Sequence, residues 1–258
     1  MNTQEYNQLA NMLRYPSDIG KLARDRNLNR ELLLIIYTQR VTRDSTRRYY
    51  QVKNRAGRLL SQWKQGTTLV QLARKEMFPP VLLSLILMQE HGMPRKEFWK
   101  CIRDPLQAPD KRLRGEFHEV IREDIIYSPA GMDVQYQRGK KGEARLFEWL
   151  DASGLEYRTE ADLRGEYQKT PDCLLNEPIE IDGQKVCWFE SKANFGNAFE
   201  VKRNNKKQLV PYTEMFGPGI VVYWFGFVSD HEQVKDVRVV DGSFFNRSLA
   251  EMISPEKK

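Results

Sequence analysis

Apolar residues recur along this chain with a helical period in the first half and a strand period in the second. Residues 22–39, shifted by fifty positions, superimpose on 72–89: Leu-Ala-Arg matches, Leu32-Leu33 fall on Leu82-Leu83, Ile36 on Ile86 and Gln39 on Gln89. Each copy predicts a short helix, a turn (Asn27-Leu28-Asn29 or Phe78-Pro79-Pro80) and a longer apolar helix, a helix-turn-helix pattern. Pro79 or Pro80 suits a first helical turn, where a missing N–H costs nothing. The stretches 32–36 and 81–88 are too apolar for exposed recognition helices, so they are expected to be partly core. Nucleic-acid contact is then left to their polar ends and the basic connector. Such modules also bind proteins, and both uses stay open. Residues 97–110 read as a Pro-containing connection, 115–127 as a helix and 128–142 as a Gly-rich linker. The expected organisation is a helical region over 1–130 and a second domain over 131–258.

In the second half, 142–153 reads as an amphipathic helix with Glu143, Leu146, Phe147 and Leu150 on one stripe. Strands over 172–181 and Gln184–Lys192 flank an Asp182-Gly183 turn signal. A two-residue loop would pair Ile181 with Gln184, set Asp172 opposite Ala193 and turn Asp172 away from Lys192. A three-residue loop over 181–183, with Gly183 left-handed in a G1 bulge, pairs Glu180 with Gln184 and Asp172 with Lys192. The second register is expected, with Asp172, Glu190 and Lys192 on one face. A polar helical stretch follows over 199–216, kinked or restarted at Pro211. The apolar run 220–228 reads as a central strand, 234–240 as an edge strand and 255–258 as a frayed end. The order helix, three strands, helix, strand makes an α/β core.

The length, 258 residues, favours two domains. No apolar run is long enough to span a bilayer, and the first residues do not resemble a signal peptide, so an intracellular protein is expected. Cys101, Cys173 and Cys187, and His91, His118 and His231, show no zinc-ligand spacing. Charge is segregated: residues 1–130 hold 23 Lys and Arg against 14 Asp and Glu, while 131–258 hold 18 against 21. A basic half beside an acidic half suits an enzyme acting on a polyanion, because phosphate neutralisation supplies much of the affinity. The densest stretch carries Arg40, Arg43, Arg47, Arg48, Lys53, Arg55, Arg58 and Lys64 against Asp44 alone, with Tyr49, Tyr50 and Trp63 interleaved. It reads either as a nucleic-acid face or as a solvated helix face. Lys202, Arg203, Lys206 and Lys207 form a second basic group.

The chemistry-bearing residues are Asp172 after Thr170-Pro171, then Glu190-Ser191-Lys192 eighteen residues on. Two carboxylates can hold Mg²⁺ or Mn²⁺ with positions left for water and phosphate oxygens, and an ammonium beside them can orient or help deprotonate the attacking water. Glu143 is either an acid placed favourably near a helix N-terminus or a further metal ligand. Gln208 and Tyr212 would share a helical face, as a substrate-contacting pair or as an ordinary amide and packing tyrosine.

Thr170-Pro171-Asp172, Trp188-Phe189-Glu190-Ser191-Lys192-Ala193 with Phe195-Gly196, and Phe216-Gly217-Pro218-Gly219 leading to Tyr223-Trp224-Phe225-Gly226-Phe227 together resemble the TPD-motif family. This is a codanin-interacting-nuclease-like branch of the PD-(D/E)XK nuclease superfamily. Upstream, Arg103-Asp104-Pro105, Pro109-Asp110, and Tyr127 with Pro129 resemble it too. The resemblance implies a restriction-endonuclease-like α-β-β-β-α-β core behind the helical region. It makes Asp172 and Glu190 metal ligands, the Ser191 carbonyl a third, Lys192 the water-activating or charge-stabilising group and Glu143 the helix acid. Gln208 and Tyr212 resemble the Gln-x-x-x-Tyr pair of the RecB-type branch. A Mg²⁺- or Mn²⁺-dependent nuclease acting on nucleic acid, DNA first, is expected in nucleus and cytoplasm. Arg40, Arg43, Arg47, Arg48, Arg55, Arg58, Lys202, Lys206, Gln208 and Tyr212 are its candidate nucleic-acid contacts. A catalytically idle scaffold of the same fold that binds a codanin-like protein is the alternative, and a ligand-sensing helix-turn-helix regulator comes third.

Overall fold

The computed structural model describes residues 1–253, so the expected fraying over 255–258 lies outside the described residues. Helices α1 (Thr3–Met12), α2 (Pro16–Asp25), α3 (Arg30–Lys53), α4 (Ala56–Lys64), α5 (Leu69–Glu76), α6 (Pro80–Glu90), α7 (Arg95–Arg103), α8 (Lys111–Glu123) and α9 (Pro129–Ala152) come first. Then follow β1 (Tyr157–Thr159), α10 (Glu160–Leu163), β2 (Cys173–Ile181) and β3 (Gln184–Lys192). After them come α11 (Ala198–Asn204), a π-helical turn (Asn205–Leu209), α12 (Val210–Phe216), β4 (Gly219–Tyr223), β5 (Val237–Asp241) and α13 (Leu249–Ile253). The chain forms a helical region followed by an α/β domain, and among the described residues no helix is long and apolar enough to cross a membrane. Two compact units result: one takes in Met1–Arg14, Ala23–Ile35 and the chain from Gln137 on, the other Tyr15–Leu22 and Ile36–Tyr136.

In the helical unit α5 starts at Thr68, whose hydroxyl accepts from Gln71 N while Gln71 Oε1 accepts from Thr68 N, a reciprocal cap. It stops at Met77, which is left-handed at φ 46°. Pro80 then opens α6, and Val81, Leu83 and 84–88 are buried, as expected of a helix apolar all round. Two buried acids finish the helix starts. Glu116 accepts from Leu69 N, Trp63 Nε1 and Arg112 Nε, and Asp124 accepts from Val81 N, Ile126 N and Tyr127 N. The connection expected over 97–110 contains a helix, because Phe98, Cys101 and Ile102 stand at i, i+3 and i+4 and all go into the core.

The linker expected over 128–142 is instead the first part of α9. Ser128 Oγ accepts from Gly131 N at its start. Two of its glycines serve close packing: a Cβ on Gly131 would come within 2.4 Å of the Ile125 carbonyl, and one on Gly142 within 2.8 Å of the Trp224 ring, whereas Gly139 faces open space.

The sheet runs in the order β1-β2-β3-β4-β5, with β1 to β3 antiparallel and β3, β4 and β5 parallel. One face meets α9 through Leu146, Leu150, Phe189, Ile220 and Val222. The other meets α11, the π turn and α12 through Trp188, Val201, Leu209, Tyr212, Val221 and Tyr223. The central strand expected over 220–228 ends at Tyr223, after which the chain turns through left-handed Gly226 and Phe227 makes an isolated bridge to Gly196.

The hairpin corrects the expected register. Asp182 and Gly183 are both left-handed, at φ 49° and 75°, and Ile181 pairs with Gln184: a two-residue loop, not the three-residue G1 bulge. The irregularity sits instead within β2, where 175–178, including Pro178 with no N–H for a ladder, stand opposite Cys187. Below it Leu174 pairs with Trp188 and Cys173 with Phe189. Three extra residues on one strand reverse its facing, so Asp172 arrives beside Glu190, on the face of Glu190 and Lys192 after all.

Candidate active site

Asp172 enters the sheet just before β2, and Glu190 and Lys192 close β3 on the face covered by the π turn and α12. Asp172 Oδ2 accepts from Ser191 N at 2.7 Å, and Asp172 N donates to Glu190 Oε2 at 3.2 Å. Glu190 is 2 % exposed, and its Oε1 accepts from Lys192 Nζ. Gln208 bridges the pair: its Oε1 accepts from Lys192 Nζ at 2.9 Å, and its Nε2 donates to Glu190 Oε1 at 3.4 Å. Gln208 Nε2 also reaches the Tyr212 hydroxyl at 3.4 Å, and that hydroxyl donates to the Thr170 carbonyl at 2.7 Å. The side chains of Glu190, Lys192, Gln208 and Tyr212 form one hydrogen-bonded group around the Thr170-Pro171-Asp172 entry.

Pro211 explains the shape of the helix that carries Gln208. Proline removes its own N–H and crowds the carbonyl four residues back, that of Lys207. The preceding turn widens to π geometry over Asn205–Leu209, and the Lys207 carbonyl accepts from Lys169 Nζ at 2.6 Å instead. Helix and entry loop are thereby tied a second time.

Burial dominates the electrostatics. It pushes the Asp172 carboxyl up to about 7, with the Glu190 charge adding to it and the Ser191 N–H and Lys192 ammonium opposing. Burial also raises Glu190 against the pull of Lys192. Burial first, then the charges of Glu190 and Asp172, push the Tyr212 phenol up. Two desolvated carboxylates side by side, balanced by one ammonium, favour an added cation, and hard oxygen donors suit Mg²⁺ or Mn²⁺. Among the described residues no group of three or more His, Cys, Asp and Glu side chains is placed to hold a metal. Asp172 and Glu190 are the two carboxylates that could hold such an ion, with other oxygens needed to complete its shell.

Glu143 is not drawn into the carboxylate pair. It lies on α9, against the opposite face, and pairs with Lys140 at 2.7 Å, while its charge still reaches Asp172. Ser191 lies between the two site residues of β3, and its Oγ accepts from Trp224 Nε1 at 2.8 Å beside the Gly142 notch. Lys169 and Trp224 support the site, a role the sequence reading did not assign to either. The signals were a lysine directly before Thr170-Pro171-Asp172 and an indole N–H in the aromatic run 223–227 at the strand exit.

The candidate nucleic-acid contacts are placed unevenly. Arg47, Arg58, Lys202 and Lys206 are exposed, and Arg43 is half-buried. Arg40 pairs with Asp44 and lies over the Tyr37 ring. Arg48 donates to the Glu76 and Met77 carbonyls at 2.6 and 3.0 Å, closing the C-terminus of α5. Arg55 donates to the Gln51 carbonyl and pairs with Glu76. Gln208 and Tyr212 belong to the carboxylate group.

The family described as "Protein of unknown function TPD sequence-motif" matches residues 109–243. Among curated relatives, the proteins named CDAN1-interacting nuclease 1 from Xenopus laevis and Homo sapiens are 34 % and 32 % identical over 170 residues, 63 % of this chain. That from Danio rerio is 31 % identical over 184 residues, 67 % of this chain. The matches cover 56 %, 60 % and 61 % of those relatives, so the chain spans less than two thirds of each. No solved structure matches significantly.

Proposed function

The chain belongs to the TPD sequence-motif family, and from that premise we propose that it is a nuclease of PD-(D/E)XK type, cutting phosphodiester bonds with the help of Mg²⁺ or Mn²⁺. The observation that carries the reading is the convergence of Asp172, Glu190, Lys192 and Gln208 on one sheet face. The helix–sheet–helix layering around that face and the relatives' printed name support it.

Asp172 and Glu190, with the Ser191 carbonyl, are the residues that would hold the cation. When bound, a divalent cation supplies a more acidic water and neutralises charge developing at phosphorus. Lys192, tethered to Glu190 and Gln208 through two of its three N–H groups, has one left to offer the attacking water or a phosphate oxygen. Gln208 holds that ammonium in place. Nucleic acid, DNA before RNA, is the proposed substrate, and nucleus and cytoplasm are the proposed locations.

The test is a panel of single-stranded, duplex and branched DNA and RNA with Mg²⁺ or Mn²⁺. Cleavage should require the metal and fall at least about 10²-fold in Asp172→Ala, Glu190→Ala and Lys192→Ala, with folding, checked by melting curves, nearly intact. Equal processing by wild type and Lys192→Ala would mean contamination. One observation favours a second reading, an idle scaffold that binds a codanin-like partner as the relatives' name suggests: both Glu190 oxygens already accept protein donors. Calorimetry with Mn²⁺ on wild type and Asp172→Ala separates the two, since a scaffold gains nothing from the ion.

A further inference from the structure

Helix α1 lies outside the stretch that the family matches, yet it is fastened to the backbone that leaves the candidate site. The Tyr6 ring, 2 % exposed, stacks on Phe195 with centroids 5.5 Å apart and planes 4° apart. Its hydroxyl accepts from Asn197 Nδ2 at 3.1 Å. Thr3 donates from N and Oγ1 to Asp230 Oδ1 at 2.7 and 2.8 Å, and Ser229 N donates to the Met1 carbonyl at 3.0 Å.

Phe195 and Asn197 sit at a junction. Asn197 Oδ1 accepts from Phe199 N and Glu200 N at 3.0 and 3.1 Å, so the side chain that meets Tyr6 also caps α11. Between them, Gly196 N donates to the Gly226 carbonyl, and the Gly196 carbonyl accepts from Val228 N, both at 2.9 Å. Upstream of the junction β3 ends at Lys192, and downstream α11 runs into the π turn that holds Gln208. The Lys192–Gln208 hydrogen bond therefore closes a loop of chain whose middle is clamped by α1.

We propose that Tyr6 is a positioning residue for the carboxylate–lysine site, fixing the 193–197 loop and the start of α11 so that Lys192 and Gln208 meet. This rests on the reading of that site as an active one and deepens it. Tyr6 acts through Phe195 and Asn197. A supporting residue of this kind matters because a site left loosely held loses geometry, with losses of about ten- to a hundred-fold at metal sites.

The full chain is compared with Tyr6→Ala, which removes ring and hydroxyl, and Tyr6→Phe, which keeps the stack on Phe195. Cleavage kinetics, Mn²⁺ calorimetry, amide exchange over 193–208 and a melting curve are read together. Tyr6→Ala should lower kcat about ten-fold with KM within about two-fold, weaken Mn²⁺ several-fold and speed exchange at Phe199, Glu200 and Val201 about ten-fold. Tyr6→Phe should recover most of kcat and of the Mn²⁺ affinity. A folded Tyr6→Ala with a lower melting temperature but wild-type kcat and Mn²⁺ affinity overturns the inference. If Tyr6→Ala does not fold, Tyr6→Leu is held to the same criteria. Should the wild type cleave nothing, the nuclease reading fails separately. Mn²⁺ affinity then decides, and faster exchange without weaker Mn²⁺ binding counts against Tyr6.

Discussion

Asp172, Glu190 and Lys192 could be singled out from residue type and spacing alone, because a Pro-Asp and a Glu-x-Lys on aliphatic strands can bring two carboxylates and an ammonium together, and the structure sets the three side by side. Their environment was not legible, since desolvation depends on Tyr212, Gln208 and the helix above them. That environment makes a prediction about the metal-free chain. An acid whose folded pKa stands near 7 against about 3.9 unfolded binds its proton more tightly when folded. The stability it contributes is fully present below about pH 4, is lost as pH rises towards 7 and stays lost above. Asp172→Asn should therefore stabilise the metal-free protein by roughly 1–3 kcal/mol at pH 8 and very little near pH 4. Saturating Mn²⁺ should raise the wild-type melting temperature at pH 8 and leave Asp172→Asn nearly unmoved. Melting curves of both proteins from pH 4 to 8 check this, and a difference independent of pH would show that Asp172 is not desolvated.

At the scale of elements, the strands and the turn signal were readable, while the register was not. A hairpin loop of two residues or three is decided by backbone angles at Asp182 and Gly183, and the compensating irregularity near Pro178 has no periodic signature. Two local deviations cancelled, so the shared face was anticipated by a mechanism that the structure replaces. Helix α9 was half missed because glycine weakens a helix by propensity, yet Gly131 and Gly142 are there for close packing. The π turn is the element most open to test. If Pro211 forces it, Pro211→Ala should let a regular helix form and rotate Gln208 away from Lys192 and Glu190. The melting temperature should hold or rise, since proline is the poorest helix former, while Mn²⁺ affinity and kcat fall about ten-fold or more. Loss of stability with intact Mn²⁺ binding would mean that the π turn is held by something other than the proline.

For the whole molecule, apolar periodicity gave the helical half and the sheet-bearing half and composition the unequal charge between them, all local or additive properties. It could not show that Tyr6 joins the sheet-bearing unit, because that contact links distant residues with no pattern between them. Nor could it divide the arginines of 40–58 into solvated and structural ones, a division that now shapes the test of the basic half. Arg47 and Arg58 are exposed on α3 and α4, whereas Arg48 satisfies two carbonyls at the end of α5. If the basic half holds nucleic acid, Arg47→Ala with Arg58→Ala should lower the magnitude of the slope of log K against log salt by roughly one to two units, about one per lost phosphate contact. Turnover at saturating substrate should barely change. Arg48→Ala should instead cost about 1–2 kcal/mol of stability by leaving carbonyls unpaired, and most of the salt slope should survive. Filter binding from low to moderate salt, run beside melting curves, reads both effects. If the Arg47 and Arg58 pair leaves the slope unchanged while Lys202→Ala with Lys206→Ala reduces it, the phosphates are held beside the carboxylates, and the excess charge of the first half serves some other purpose.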